Sequence, residues 1–240
     1  RPLPKRLDMD NFSRGDYIGA VEDRELAEVI SKVLYPCENH REGKSLRLKQ
    51  HYFFTSATIQ YIVREHRRRY GSLYSLADKV CIQINDTHPA LAIPELLRIM
   101  IDEEGMDWET ACGICRKVFS YTNHTVMSEA LEKWPEDLFK ELLPRIYAIV
   151  KGINEDYCRK LWQFYPGQWE KIGSMAIIGY NEIRMANLCV AMSGHVNGVS
   201  RLHGEILKQD VFKSFFLVEP WKFTSVTNGI TPRRWLMDAN

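Results

Sequence analysis

Three short apolar segments, each ended by polar side chains, constrain the fold of this chain more than any other feature. They run from Val80 to Ile84, from Phe119 to Thr122 and from Phe223 to Thr227. A short apolar run bounded by polar residues is typical of a buried β-strand. Amphipathic patterns with helical spacing separate the three runs, and strands that alternate with helices favour a parallel sheet. We therefore predict a helix-rich α/β fold with a few short parallel strands.

The residues that follow these strands are short amides, carboxylates and imidazoles, whereas ordinary turns favour glycine and proline. They are Asn85, Asp86 and His88 after the first strand, Asn123 and His124 after the second, and Asn228 after the third. The carboxyl ends of parallel strands meet at one edge of a sheet, where ligands bind. Spacing alone leaves two interpretations open: these side chains bind a polar ligand, or they cap their own loops.

Composition argues against several classes of protein. A chain of 240 residues that is 45% hydrophobic can bury a substantial core, and a formal net charge of +1 argues against nucleic-acid binding. No apolar run in the sequence approaches the roughly 20 residues that cross a bilayer, so we expect no membrane partner. Six cysteines without a dense framework indicate reduced thiols and a cytoplasmic location.

The sequence gives no sign of internal division. It has no repeat, no low-complexity stretch and no convincing linker. Its first residues have no signal-peptide pattern, and its last ten, TPRRWLMDAN, contain a proline suited to the first position of a helix. We therefore expect residues 1–240 to be a single segment of a longer chain.

Two groups of potential ligand residues have structural alternatives. Asp86, His88 and His124 are of types that bind metals, but their spacing matches no metal motif, so we expect no metal site. Cys112 and Cys115 form a lone C-x-x-C inside an amphipathic helical pattern. That position favours structural thiols over a redox pair.

Basic and glycine-rich motifs are equally ambiguous. REHRRRYG carries Arg64, Arg67, Arg68 and Arg69 at the predicted end of a helix. The helix dipole favours cations there, and phosphate binding is the alternative. Gly194 and Gly198 in SGHVNGVSRLHG match neither a dinucleotide-binding nor a P-loop pattern. A glycine before a helix would still allow a ligand to approach the backbone closely.

An ordered set of longer motifs is more specific than any of these. The set consists of RLKQHYFFTSATIQ, QINDTHPALAIPELLR, YTNHTVMSEALEKWPEDLFKELLPR, RMANLCVAMSGHVNGVSRLHGEIL and TNGITPRRW. Taken together, these stretches resemble the α-glucan (glycogen, starch and maltodextrin) phosphorylase family, from about Asp16 to Trp235.

The resemblance implies the later part of the N-terminal domain of a two-domain glycosyltransferase-B architecture, without the C-terminal cofactor domain. The implied reaction is phosphorolysis of the terminal α-1,4-linked glucose of a glucan by inorganic phosphate, which gives glucose 1-phosphate with retained configuration. The implied cofactor is pyridoxal 5′-phosphate, anchored by a lysine outside this chain. We therefore expect the 240-residue chain alone to be inactive.

The resemblance also implies roles for individual residues. His124 is the catalytic contact to the glucosyl unit, with its side chain at the 6-hydroxyl and its main-chain carbonyl towards the developing oxocarbenium charge. Asn228 shares the 6-hydroxyl, Val199 lines the pocket and Asp86 organises the loop beneath it. Trp235 is implied to lie near the cofactor.

The stretch YPCENHREGK resembles the family's mobile gate. Asn39 is implied to contact substrate, and Glu38 and Arg47 to belong to the gate. Cys37 and His40 depart from the family's pattern, since asparagine is common at the first position and an aromatic inhibitor-binding residue occupies the second. This departure puts purine-like inhibitor binding in doubt.

Two further parts of the chain resemble the family's assembly and effector elements. The helix predicted from Tyr17 to Leu34 resembles the one that packs against its mate in a homodimer. Arg64 resembles the first of two arginines that hold the phosphate of an activating nucleotide, and Glu65 stands in place of the second. A carboxylate there would repel phosphate, so we expect no activation by AMP, which titration into the complete enzyme tests.

Two alternatives remain at this stage. A glycosyltransferase of the same architecture would use a sugar nucleotide as donor, and a non-enzymatic helical module would keep the helix at 17–34 for dimerisation. The sequence beyond Asn240 would distinguish the sugar-nucleotide transferase from a phosphorylase. Light scattering would show whether the helical module dimerises.

Overall fold

The computed structural model describes residues 7–239. They form two compact units, one ending at Ala57 and the other beginning at Thr58. The α-helices are α1 (Met9–Ser13), α2 (Gly19–Lys32), α3 (Arg41–Tyr70), α4 (Leu76–Lys79), α5 (Ala92–Arg98), α6 (Trp108–Val118), α7 (Glu136–Leu142), α8 (Pro144–Phe164), α9 (Trp169–Met175), α10 (Met185–Met192), α11 (Arg201–Ile206) and α12 (Lys213–Val218). Short 3₁₀ segments are Leu73–Ser75, Ser128–Ala130 and Pro220–Lys222, and π segments are Ile99–Glu103, Leu207–Val211 and Arg233–Asp238.

The first unit contains α1, α2 and the beginning of α3. Asp8 begins α1 as an N-cap, because its Oδ1 accepts from the backbone N–H of Asp10 at 2.9 Å. Helix α2 is slightly shorter than the predicted 17–34, and Ala20 is its only buried residue. The apolar side chains of α2 are therefore largely exposed within the described residues.

The second unit is organised around a four-stranded parallel sheet. Its strands are β1 (Ile82–Asn85), β2 (Phe119–Thr122), β6 (His195–Gly198) and β7 (Phe223–Ser225), in the spatial order β1-β2-β6-β7. The sheet places Ile84 beside Tyr121 and Tyr121 beside Val196, all three of which are fully buried. The predicted helix-rich α/β fold with short parallel strands is confirmed.

Strand β6 was not among the strands predicted from the sequence. Its residues, His-Val-Asn-Gly, have weak β-propensity, and only Val196 and Gly198 are buried. The segment is a strand because it pairs with β2 on one side and with β7 on the other, although its own residues do not favour a strand. Gly198 is required there, since a Cβ would come within 2.8 Å of the backbone nitrogen of Gly204.

A second, antiparallel sheet contains β3 (Lys133–Pro135), β4 (Ile178–Gly179) and β5 (Glu182–Arg184), in the order β3-β5-β4. The stretch NEIRMANLCVAMSG at 181–194 has helical spacing throughout, but residues 182–184 pair with β3 and the helix begins only at Met185. Helix α10 follows and is buried along its whole length. It forms the central helix of the core of this unit.

No helix among the described residues is both long and apolar enough to span a membrane.

Candidate active site

The carboxyl edge of the parallel sheet carries a hydrogen-bonded row of polar side chains. Gln83 Nε2 donates to Thr122 Oγ1 at 2.8 Å, and Thr122 Oγ1 donates to Asn197 Oδ1 at 2.9 Å. This row joins β1, β2 and β6, so the loops that leave the three strands start from fixed positions. The sequence patterns indicated the edge but not this row.

His124 lies just beyond this row and is exposed. Its Nε2 is 2.5 Å from Oδ1 of Asn85, the last residue of β1. Because an amide oxygen only accepts, Nε2 carries the proton in this contact and Nδ1 is left as an acceptor. Polar side chains from two neighbouring strand ends, Asn85 and His124, are therefore in contact, as expected.

Asn123, the residue before His124, is fully buried and shapes the same loop. Its Nδ2 donates to the hydroxyl of Tyr121 at 3.0 Å, and its Oδ1 accepts from the backbone N–H of Thr125 at 2.8 Å. Asn123 thus acts as a loop-capping residue, whereas its neighbour His124 points a polar ring outward. The loop-capping interpretation therefore holds for Asn123.

Asp86 turns the chain at the end of β1. Its φ of 61° lies in the left-handed region, which is uncommon for a residue other than glycine and occurs often at functional sites. Its backbone N–H donates to Thr122 O at 2.9 Å, and its Oδ1 accepts from the N–H of Thr87 at 2.6 Å. These contacts fix the loop that follows β1.

Buried His203 connects two of the strand-end loops. Its Nδ1 accepts from the backbone N–H of Val199 at 3.1 Å, and its Nε2 donates to the carbonyl of Thr125 at 3.0 Å. This arrangement requires a neutral ring protonated on Nε2. Sequence analysis missed His203; its position four residues after Val199, at the start of a helix, was the available signal.

Asn228 joins the same group through the backbone. Its N–H donates to the carbonyl of Val199 at 3.1 Å. The loops after β2, β6 and β7 are thus linked in series through Thr125, His203, Val199 and Asn228. The structure therefore brings four of the predicted site residues, Asp86, His124, Val199 and Asn228, to one edge of one sheet.

Trp235, another predicted site residue of this unit, is placed differently. Its ring is 57% exposed and lies 5.2 Å from the guanidinium of Arg234. Its backbone N–H donates to the carbonyl of Thr231 at 3.0 Å.

The predicted gate residues lie in the first unit. Nε of Arg47 is 3.7 Å from Oε1 of Glu38, and its guanidinium lies 4.4 Å from the centroid of the Tyr35 ring. Asn39 is exposed beside this pair. Gly43 packs so closely on the carbonyl of Cys37 that any side chain would overlap it, which holds the loop against the beginning of α3.

Arg64 lies in α3 with its guanidinium 5.8 Å from the centroid of the Tyr61 ring. It lines a cavity of about 280 Å³ together with Arg67. Neighbouring Glu65 pairs with Arg68 at 2.9 Å, and this hydrogen bond lowers the pKa of the Glu65 carboxyl. A carboxylate therefore stands beside Arg64, as the sequence indicated.

The thiols of Cys112 and Cys115 are buried in α6. Burial raises the pKa of Cys112 to about 11 and that of Cys115 well above its usual range. Protonated, enclosed thiols agree with the structural interpretation of this pair.

Comparison with known proteins matches the sequence of this chain to one family. The profile of the family described as carbohydrate phosphorylase matches residues 2–240. The glycogen phosphorylase of Bacillus subtilis (strain 168) is 52% identical over 213 residues, which cover 89% of this chain and 27% of that protein.

Two animal relatives cover nearly the whole chain. The brain form of glycogen phosphorylase from Homo sapiens is 49% identical over 248 aligned positions, with 99% of this chain and 29% of that protein covered. The muscle form from Ovis aries is 48% identical, with 99% and 30% covered. The chain therefore spans less than a third of the length of these curated relatives.

Proposed function

The chain belongs to the carbohydrate phosphorylase family, and we propose that it forms part of an α-glucan phosphorylase. The proposed reaction is phosphorolysis of a terminal α-1,4-linked glucose by inorganic phosphate, with glucose 1-phosphate released in retained configuration. The relatives are named glycogen phosphorylases, which favours this function over a sugar-nucleotide transferase or a non-enzymatic helical module.

The observation that carries the proposal is the exposed imidazole of His124, held by Asn85 at the carboxyl edge of the sheet. With Nε2 donating to Asn85, Nδ1 is free to accept a hydrogen bond from a sugar hydroxyl, which we assign as the 6-hydroxyl. Asn228 is assigned to the same hydroxyl, Val199 to the pocket wall and Asp86 to the loop beneath it.

We assign the main-chain carbonyl of His124 to the positive charge that develops on the glucosyl ring. A fixed dipole stabilises a transition state well when it does not have to reorient. The buried amide of Asn123 and the bridge made by His203 hold this loop in place on both sides of His124. Fixing the loop is therefore the contribution of these two residues.

The proposed cofactor of the complete enzyme is pyridoxal 5′-phosphate, whose phosphate supplies proton transfer when bound. The exposed indole of Trp235 offers a flat face suited to contact with a pyridine ring. The covalent lysine anchor is proposed to lie outside this chain, as are the groups that bind substrate phosphate. The 240-residue chain alone is therefore expected to be inactive.

We assign the ion pair of Glu38 and Arg47 to a mobile gate, with Asn39 as its substrate contact. The 3.7 Å separation and the half-exposed carboxylate describe a weak pair. A weak pair suits a segment that opens and closes. Arg64 is assigned to the remnant of an effector site.

His124→Gln in the complete enzyme tests the assignment. It should lower kcat/KM for release of glucose 1-phosphate from maltoheptaose by roughly 10- to 100-fold, the usual range for losing a hydrogen bond in a polar site. His195→Gln is the matched control, because His195 is exposed at the other end of strand β6. Equal activity in the two variants would remove His124 from the site, and absence of phosphorolysis in the parent enzyme would refute the function itself.

The exposed apolar face of α2 is assigned to homodimerisation. Within α2, Val21 is 40% exposed, Leu26 57% and Val29 38%. Arg24, Glu28 and Lys32 form ion pairs along the same helix. Light scattering should show a dimer that Leu26→Asp converts to monomer, because the charge would be buried in an apolar interface. Asp23→Ala is the matched control and should leave the dimer intact; a dimer that survives Leu26→Asp assigns the interface elsewhere.

A further inference from the structure

A second cavity lies at the opposite edge of the same sheet and has a volume of about 370 Å³. Arg116 is in the last turn of α6 before β2, Ser193 follows α10 before β6, and Lys222 directly precedes β7. The cavity therefore sits at the amino ends of three neighbouring strands. We call it the basic cavity; the lining side chains that matter are Arg116, Tyr157, Lys160, Ser193, Glu219 and Lys222.

The cavity holds more positive than negative charge. Glu219 is shared by two ammonium groups, with Oε1 2.6 Å from Lys160 Nζ and Oε2 3.1 Å from Lys222 Nζ. Arg116 adds a third cation, which has no ion-pair partner within residues 7–239. Glu219 alone cannot balance all three.

The other carboxylate of the lining, Asp156, is already engaged. Its Oδ1 accepts from Arg159 at 2.8 Å and its Oδ2 from the indole N–H of Trp108 at 2.5 Å. Because Arg159 balances Asp156, the excess positive charge of the cavity remains.

Burial makes the charge on Lys222 costly. Lys222 and Glu219 are each only 5% exposed. Burial lowers the pKa of Lys222; the positive charges of Lys160 and Arg116 lower it further, while Glu219 raises it. The three cations therefore repel one another across the cavity, and a bound anion would offset that repulsion.

The ends of helices explain two of these cations but not the third. Lys222 Nζ donates to the carbonyl of Val190 in the last turn of α10 at 3.0 Å, which satisfies a free helix-terminal acceptor. Arg116 is in the last turn of α6, where the helix dipole favours a cation, and it is exposed beside the cavity. Lys160 lies well inside α8, so no helix end accounts for it.

Two buried hydroxyls line the same cavity. Ser193 is fully buried and Tyr157 is 5% exposed, and within the described part of the chain neither hydroxyl oxygen has a hydrogen-bond partner. An unpaired buried hydroxyl costs free energy unless something accepts or donates a hydrogen bond to it. A hydroxyl donates to any acceptor, and an anion bound beside the surplus cations would accept from both of these hydroxyls.

We propose that the basic cavity binds a small oxyanion of the phosphate class, with Arg116 and Lys160 as its charged partners and Ser193 and Tyr157 as hydroxyl donors. The anion is either free inorganic phosphate or the phosphate group of a monoester. This inference does not depend on the proposed enzymatic activity, because it concerns a binding equilibrium at the other end of the sheet.

The experiment is a titration of the chain with inorganic phosphate, followed by calorimetry and by the backbone amide resonances of Ser193 and Gly194. Saturable binding should be weakened at least about tenfold by Arg116→Gln, since a hydrogen bond between charged groups is lost. Lys117→Gln is the matched control, because this neighbouring lysine lies on the same helix but does not line the cavity.

Several outcomes separate the possibilities. Tighter binding of glycerol phosphate than of inorganic phosphate supports a monoester as ligand, and equal or weaker binding supports the free ion. Absence of saturable shifts up to the solubility limit of phosphate, or equal affinity in Arg116→Gln and Lys117→Gln, overturns the proposal. Binding that is lost in His124→Gln but kept in Arg116→Gln places the anion at the carboxyl edge and also overturns it.

Discussion

The two edges of the parallel sheet are built from different chemistry. At the carboxyl edge, amides, hydroxyls, imidazoles and the single carboxylate of Asp86 bond to one another and to backbone groups, with His203 and Asn197 as examples. At the amino edge, Lys160, Glu219 and Lys222 form a charged group around a cavity. One sheet therefore has mainly uncharged polar groups at one end and a cluster of charged groups at the other.

Helix polarity accounts for part of this difference. Helices α6 and α10 end immediately before β2 and close to β6, so their carbonyls reach the amino edge, and Lys222 donates to one of them. Helix α11 begins after β6 at the carboxyl edge, where its N–H groups need acceptors, and Ser200 Oγ accepts from His203 N at 3.1 Å. Cations suit the first environment and neutral oxygen acceptors the second.

Glu219→Gln should have the largest effect on stability, because it leaves Lys160 and Lys222 close together without their shared carboxylate. We expect a loss of about 3–5 kcal/mol in the free energy of unfolding, the usual cost of breaking a buried ion pair. Urea unfolding measures it. Glu205→Gln is the control, since the Glu205 carboxylate is 47% exposed beside Lys208 and should change stability by less than about 1 kcal/mol.

The pH dependence of stability in Glu219→Gln tests whether the Glu219 carboxylate supports the charge on Lys222. Burial lowers the pKa of Lys222 below its unfolded value, so the native state binds fewer protons than the unfolded state between the two values. The contribution of Lys222 to stability therefore increases as pH rises through that window. Removing the Glu219 carboxylate should lower the pKa of Lys222 further and begin this increase at lower pH; an unchanged profile would show that Glu219 does not support the charge on Lys222.

His203→Leu should have an intermediate effect at the carboxyl edge. It leaves the N–H of Val199 and the carbonyl of Thr125 without their shared partner, at an expected cost of about 2 kcal/mol. Activity of the complete enzyme should fall as well, because the loops after β2 and β6 lose their link. His195→Leu, at the amino end of β6, should leave both quantities nearly unchanged, and a ¹⁵N spectrum showing the other tautomer of His203 would contradict the bridge.

His124→Gln should have the smallest effect on stability, below about 0.5 kcal/mol, because the ring is exposed and, within residues 7–239, its hydrogen bond is to Asn85 alone. Its effect on activity is expected to be large, a loss of roughly 10- to 100-fold in kcat/KM. A residue that matters to activity and hardly to stability would mark the carboxyl edge as the functional end. Marked destabilisation by this variant would instead assign His124 to loop structure.

Several features of the fold could be read from local sequence. The strands at 119–122 and at 223 onward, the buried thiols of α6 and the N-cap made by Asp107, whose Oδ1 accepts from Thr110 N at 2.9 Å, follow from patterns within a few residues. The helical pattern across 138–164 does not give one helix, because α7 ends before Leu143 and Pro144 begins α8. Pro144 itself indicates this break, because proline favours the first position of a helix.

The amino-acid sequence by itself determined which residues lie at the strand ends, because alternation of strands and helices with polar stops is a local property. Only the tertiary structure decided that His203 joins two loops, that the His-Val-Asn-Gly segment is a strand, and that Lys160 and Lys222 share one glutamate. Those partners are separated by 78 residues for His203 and Thr125 and by 59 for Lys160 and Glu219. No local pattern encodes such pairs, since they depend on packing that brings distant segments together.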